Sequence, residues 1–221
     1  MSSTLTPVLN PEKTHSWPIR LAARFISYTF HPVFLPLYVI AFLVFEHPFL
    51  FTGFDPREKV QVLLQATAMY LFFPLVTVLL LKALGFIESV QLKKQKDRII
   101  PLVACMIWYF WIWNVWRNLP EYPVETVRFA LAVWISSWAA LMANVKMKIS
   151  LHAIAVGIAA TFILSMAFVQ AIHFGIYIAI SLFIAGLVCT ARFIASDHTP
   201  AEVYGGLLLG AVSVLGAGVF A

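Results

Sequence analysis

Charge is what this sequence has least of. Only 11% of its 221 residues are Asp, Glu, Lys or Arg, while 62% are hydrophobic. A soluble domain carries roughly a quarter charged residues, so a soluble globular fold is excluded. Cysteine is nearly absent. Cys105 and Cys189 both lie in apolar runs, which excludes a disulfide framework and reads as two small core residues rather than metal ligands. No polar linker divides the chain, and its length permits one bundle without a separate soluble domain. Internal repeats and low-complexity tracts are missing. So is a basic stripe interleaved with aromatics, which excludes nucleic acid as a partner despite the net charge of +5. The first 20 residues are polar and hold Pro7, Pro11 and Pro18. They carry no apolar core followed by a small-residue cleavage site, so no cleaved signal peptide is expected.

What is present is a series of apolar stretches, near 31–51, 61–86, 99–118, 124–145, 149–171, 173–192 and 200–221. Each approaches the ~20 residues of a spanning helix. The expected fold is all-α, a polytopic transmembrane helix bundle of six or seven spans. Because the sixth and seventh stretches are short or glycine-rich, six spans with a re-entrant piece is the other arrangement. Residues 1–28 form a polar N-terminus and an interfacial helix, since Trp17 to Tyr28 sets Arg20 and Arg24 among apolar residues. Residues 29–221 form a single transmembrane domain. Trp108, Trp111, Trp113 and Trp116, followed by Tyr122, suggest an aromatic belt at a membrane interface.

Ionisable residues at membrane depth are costly and usually functional. Parity brings three islands of them to one face. The first holds Gln91, Lys93, Lys94, Lys96 and Arg98. Gln91, Lys94 and Arg98 share a face if the stretch is helical. The second is Lys148-Ile149-Ser150-Leu151-His152, where a serine and the open N–H groups of a helix start can take an anion. The third runs from Arg192 through Asp197 and His198 to Glu202. His198 and Glu202 are four apart, so on a helix the carboxylate can orient and charge-support the imidazole. Cations for phosphate, two histidines and a carboxylate suffice for phosphoryl transfer without a metal. Lysines in the first island also fit a topology signal or a headgroup contact. Asp97 and Asp197 read as solvated or ion-paired groups. His15, His31, His47 and His173 have no partner in sequence and read as interfacial.

These residues resemble the type 2 phosphatidic acid phosphatase superfamily, whose pattern is Lys-x6-Arg-Pro, then Pro-Ser-Gly-His, then Ser-Arg-x5-His-x3-Asp. The third motif reads here Ala191-Arg192-x5-His198-x3-Glu202. The second reads Ile149-Ser150-Leu151-His152, and the first keeps Arg98 with Gln91 at the lysine position. The resemblance covers about 98–210 and makes 29–221 a phosphatase-like domain. It implies a metal-independent lipid phosphate phosphatase without a cofactor, acting on a membrane-borne monoester or diphosphate through a phosphohistidine. It implies His198 as nucleophile, Glu202 as its partner and His152 as general acid. Arg98, Arg192 and Ser150 are then phosphate ligands, with Lys94 standing in for the missing lysine. The other function class is a non-catalytic membrane protein that binds or moves an anionic lipid with the same phosphate cradle. Partners in either case are membrane lipids and a lipid phosphate. The expected location is a bacterial inner membrane. By the positive-inside rule the N-terminus and the site are cytoplasmic, with about eleven cations on that side and about four on the other.

Overall fold

The computed structural model describes residues 15–90, 92, 94–170, 173–195 and 198–220. The polar stretch 1–14 and Gln91, Lys93 and Asp197 lie outside the described residues. Among the described residues eight helices follow in order: α1 (Trp17–Thr29), α2 (Leu35–Glu46), α3 (Pro56–Ala83), α4 (Lys96–Arg117), α5 (Val124–Lys146), α6 (Leu151–Val169), α7 (Gly175–Ala195) and α8 (Pro200–Phe220). Six of them, α3 to α8, are long and apolar enough to cross a membrane. The chain is an all-α bundle. Both α7 and α8, including the glycine-rich run, form full-length helices.

The stretch 31–51 is helical only over Leu35–Glu46, with a π turn at Phe42–Glu46. Pro32 and Pro48 bracket it, and a residue before proline is pushed out of the helical region. The segment nevertheless runs the length of α6. At one end His31 lies against His152, ring centroids 5.2 Å apart. At the other His47 donates from Nε2 to Gln170 Oε1 at 2.6 Å. Since α6 has 19 residues, the distance covered is about 28 Å.

A second π turn, Ala68–Phe72, interrupts α3 just before Pro74. Proline offers no N–H to the carbonyl four residues back, and the widened turn accommodates the loss. The part of α3 before this turn packs against α2, and the part after it against α4. Between α2 and the later part of α3 lies the cavity described below.

Small residues set the crossing of α6 and α8. A Cβ at Gly210 would stand 2.3 Å from the Ile154 carbonyl oxygen, and one at Gly206 2.8 Å from that of Ser150. Gly157 meets the Leu207 carbonyl in the same way, at 2.5 Å. Such close approach is the usual means of helix association where no hydrophobic drive exists between helices and lipid. It lets the Ser150 N–H donate to the Glu202 carbonyl at 3.2 Å, which ties the two helix starts together.

Along α1, Ala23 and Ser27 are buried, and the helix packs against α7. Trp17, Leu21, Phe25 and Tyr28 form an exposed stripe. That is the face an interfacial helix lays on lipid. The tryptophans are not a simple belt. Trp111 is exposed, but Trp116 is fully buried and donates to Gln65 Oε1 at 2.9 Å. Trp108 stacks on Phe73 and donates to Thr77, and Trp113 stacks on Trp134. An indole N–H without water needs an acceptor, and those of Trp108 and Trp116 find one inside the bundle.

Candidate functional site

Each of the three islands is positioned by local chemistry. Upstream of α4, Gln95 and Asn144 exchange bonds: the Gln95 side chain donates to the Asn144 carbonyl, and Asn144 Nδ2 donates to the Gln95 carbonyl at 2.9 Å. This pins the start of α4 to the end of α5. Arg98 follows and is 8% exposed. It donates from Nε to the Leu92 carbonyl at 3.0 Å and from Nη1 to the Ile149 carbonyl at 2.9 Å. Leu92 adopts φ 49°, a left-handed conformation that branched side chains rarely take. Its strained backbone presents the carbonyl that holds Arg98.

Ser150 is the N-cap of α6, and its Oγ accepts from the Ala153 N–H at 3.4 Å. Serine suits this place because its oxygen satisfies an open N–H of the first turn. One residue into the helix, His152 donates from Nε2 to the Ser27 carbonyl at 3.0 Å. Arg192, in the last turn of α7, donates from Nη1 to Ser27 Oγ at 3.4 Å. A single residue of α1 thus holds one histidine and one arginine of the site.

His198 precedes α8 rather than lying on it. Its Nδ1–H donates to Glu202 Oε2 at 3.0 Å, and the imidazole is 3% exposed. The same carboxylate oxygen accepts the Thr199 N–H at 3.0 Å, while the Glu202 N–H donates to Thr199 Oγ1 at 3.3 Å. This reciprocal pair is a capping box, and Glu202 is therefore both the helix cap and the histidine's orienting carboxylate. With Nδ1 protonated, the lone pair of His198 sits on Nε2. Burial holds the His198 pKa below its usual value. The Glu202 hydrogen bond opposes this, and the nearby Arg192 and Arg98 charges add to it.

Arg98, His152, Arg192 and His198 line one cavity of about 570 Å³. Its body is apolar, formed by Leu35, Pro36 and Val39 of α2, Pro74 and Leu79 of α3, and Leu102 of α4 among others. Two residues read from sequence stand elsewhere. Ser150 is fully buried, caps its helix and does not line the cavity. Lys94 is exposed and pairs with Glu88. The run from Lys94 to Arg98 is a bend, a turn and a 3-10 turn, so no continuous helical face points Lys94 toward Arg98.

Three residues join the cavity or its supports that sequence reasoning left out. His31 and Tyr28 line it, and Ser27 holds His152 and Arg192. The signal for His31 was available, as an ionisable residue at the edge of an apolar run, just as for Arg98. Among the described residues, no group of three His, Cys, Asp or Glu stands together as a metal-ligand set.

Comparison with family models, curated proteins and solved structures finds no match to this chain. Function therefore rests on the site itself.

Proposed function

We propose that the protein is a metal-independent lipid phosphate phosphatase of the type 2 phosphatidic acid phosphatase kind. The observation that carries this reading is one cavity with two arginines and three histidines at its polar part and an apolar body inside the bundle. Phosphate meets the guanidinium groups, which suit oxyanions. The hydrocarbon lies against the apolar wall.

His198 Nε2 attacks phosphorus, forming a P–N bond as the bond to the lipid oxygen breaks. His152 gives a proton to the departing alkoxide. Its Nε2–H is held by the Ser27 carbonyl, so Nδ1 is the nitrogen that exchanges the proton. Water then gives a proton to His152 Nδ1 and attacks the phosphohistidine, releasing phosphate and restoring both histidines. Glu202 holds the ring and stabilises its positive charge after attack. Arg98 and Arg192 stabilise the charge on the transferring group.

Ser150 and Lys94 being engaged elsewhere favours a second reading, a lipid-phosphate binder that does not hydrolyse. Purified protein given phosphatidic acid or a polyprenyl diphosphate decides between them. Phosphate release that is lost in His198→Ala and survives chelators supports the phosphatase. Binding without release supports the binder. Turnover that chelators abolish and magnesium or zinc restores would overturn the mechanism. On the positive-inside rule we place the site at the cytoplasmic face of a bacterial inner membrane. Cysteine labelling from each side of sealed vesicles tests that placement.

A further inference from the structure

Several hydrogen-bond donors around the cavity already serve protein acceptors. Arg98 gives two N–H groups to carbonyls, Arg192 one to Ser27, and His152 one to Ser27. The Ser150 side chain caps α6 and Lys94 serves Glu88. A phosphate group offers several oxygens, each able to take more than one donor. A further donor in the cavity wall, beside the guanidinium N–H groups that remain for an anion, comes from a segment outside the three islands.

That donor is His31. The turn after α1 fixes it, because its carbonyl accepts from the Phe34 N–H at 2.9 Å and the Leu35 N–H at 3.3 Å. Its Nδ1 faces the Val33 N–H at 3.5 Å. A backbone N–H can only donate, so Nδ1 is the acceptor and the proton sits on Nε2. Among the described residues, no acceptor takes that Nε2–H. The ring stands edge-on to His152 at 82°, and both line the same cavity.

We propose that His31 is an oxyanion ligand of this cavity, donating from Nε2 to an oxygen of a phosphate monoester. The proposal rests on the phosphate reading of the site. Burial, with the Arg192 charge as the smaller cause, keeps the His31 pKa below its ordinary value. His31 is then a neutral donor that adds a hydrogen bond without adding to the positive charge of the two arginines. It also makes the turn between α1 and α2 part of the site, in a region the phosphatase motifs do not reach.

The test is binding of inorganic phosphate and of orthovanadate by calorimetry, on the full chain in lipid nanodiscs. His31→Phe keeps the ring edge against His152 and removes the donor. His31→Gln keeps an amide donor. The expected result is about tenfold weaker binding in His31→Phe, the scale of one hydrogen bond to a charged group, with most of the loss recovered in His31→Gln. Wild-type affinity in His31→Phe would show that the ring only packs, and would overturn the proposal. Equal weakening in both variants would do the same, since the donor would not be what matters. Thermal midpoints of both variants report that the bundle is intact. If wild-type protein binds neither anion at millimolar concentration, the phosphate reading itself falls, and that outcome is distinct from the other two.

Discussion

The two ends of the bundle use histidine in opposite ways. Where α6 finishes, His47 is 6% exposed and donates to Gln170, while its Nδ1 accepts from the Phe49 and Leu50 N–H groups. Gln170 passes its own N–H to Glu125, and nearby Gln65 accepts from both Trp116 and Tyr122. The donors of this network have acceptors, and aromatic rings such as Phe51 and Trp116 are packed solid around them. Where α6 begins, Arg98, Arg192, His31 and His152 are all donors, Glu202 is the carboxylate among them, and a cavity stands in their midst. A balanced polar network closes an end of a bundle. An unbalanced one around a cavity calls for a ligand of the opposite sign.

The contrast can be broken most sharply by removing one histidine at each end. His198→Ala should cut turnover of every phosphate ester by on the order of 10³-fold or more, with little change in thermal midpoint. His47→Ala should do the reverse. It leaves buried N–H groups without an acceptor, a cost of about 1–3 kcal/mol, while activity per folded molecule is retained. Initial rates and thermal unfolding on both variants check this, and equal behaviour of the two would remove the distinction.

His152 sharpens the picture at the cavity end. Its replacement by Ala should lower lipid phosphate hydrolysis by roughly 10²-fold, because an alkoxide needs a proton to leave. Hydrolysis of p-nitrophenyl phosphate should fall far less, since nitrophenolate leaves as an anion. Equal losses on the two substrates would refute the acid role.

A smaller effect is expected for Glu202→Gln, roughly 10–100-fold, because the shape stays and the charge goes. Its signature is in pH. His198 must be neutral to attack, and its pKa already lies below the usual 6.5, chiefly through burial. On the acid side the rate therefore falls once pH drops below the His198 pKa, while the need for a proton on His152 sets the alkaline side. Glu202 is the group that holds the pKa up, so Glu202→Gln should move the acid limb to still lower pH. A limb that stays in place or moves upward would show that Glu202 does not act on His198.

The smallest effect belongs to Lys94. Its pair with Glu88 is exposed on both sides, and such pairs contribute little. Lys94→Ala should change kcat/KM less than about twofold. A large rise in KM would bring Lys94 back to the phosphate.

Much of this was legible in the sequence because charge in an apolar run is conspicuous. Arg98, His152, Arg192 and His198 drew notice for that reason, and all four line the cavity. The spans were readable from run length, except where Pro32 and Pro48 shorten α2. What stayed hidden was partnership over distance. Nothing local to His31 reveals that it meets His152, and nothing local to Ser27 reveals that it holds two site residues. Lys94 shows the converse, since its charge was visible while its bond to Glu88 depended on the path of the loop. The pattern Thr199-Pro200-Ala201-Glu202 could have been read as a capping box, which would have placed His198 before the helix instead of on it.

The tight crossing of α6 and α8 has an electrostatic consequence. Both helices start beside the cavity, and α4 starts there too, so three helix dipoles point their positive ends toward the same place. Each end carries roughly half an elementary charge, and glycine contacts hold two of them at close range. Helices aligned this way repel one another at the starts. The ends of α5 and α7 stand at the same place and offset part of this repulsion, and the arginines add to it. A bound anion relieves it, so occupancy and bundle stability are one linked equilibrium. Phosphate should raise the unfolding temperature, by the most at low ionic strength, where the dipoles and guanidinium charges are least screened.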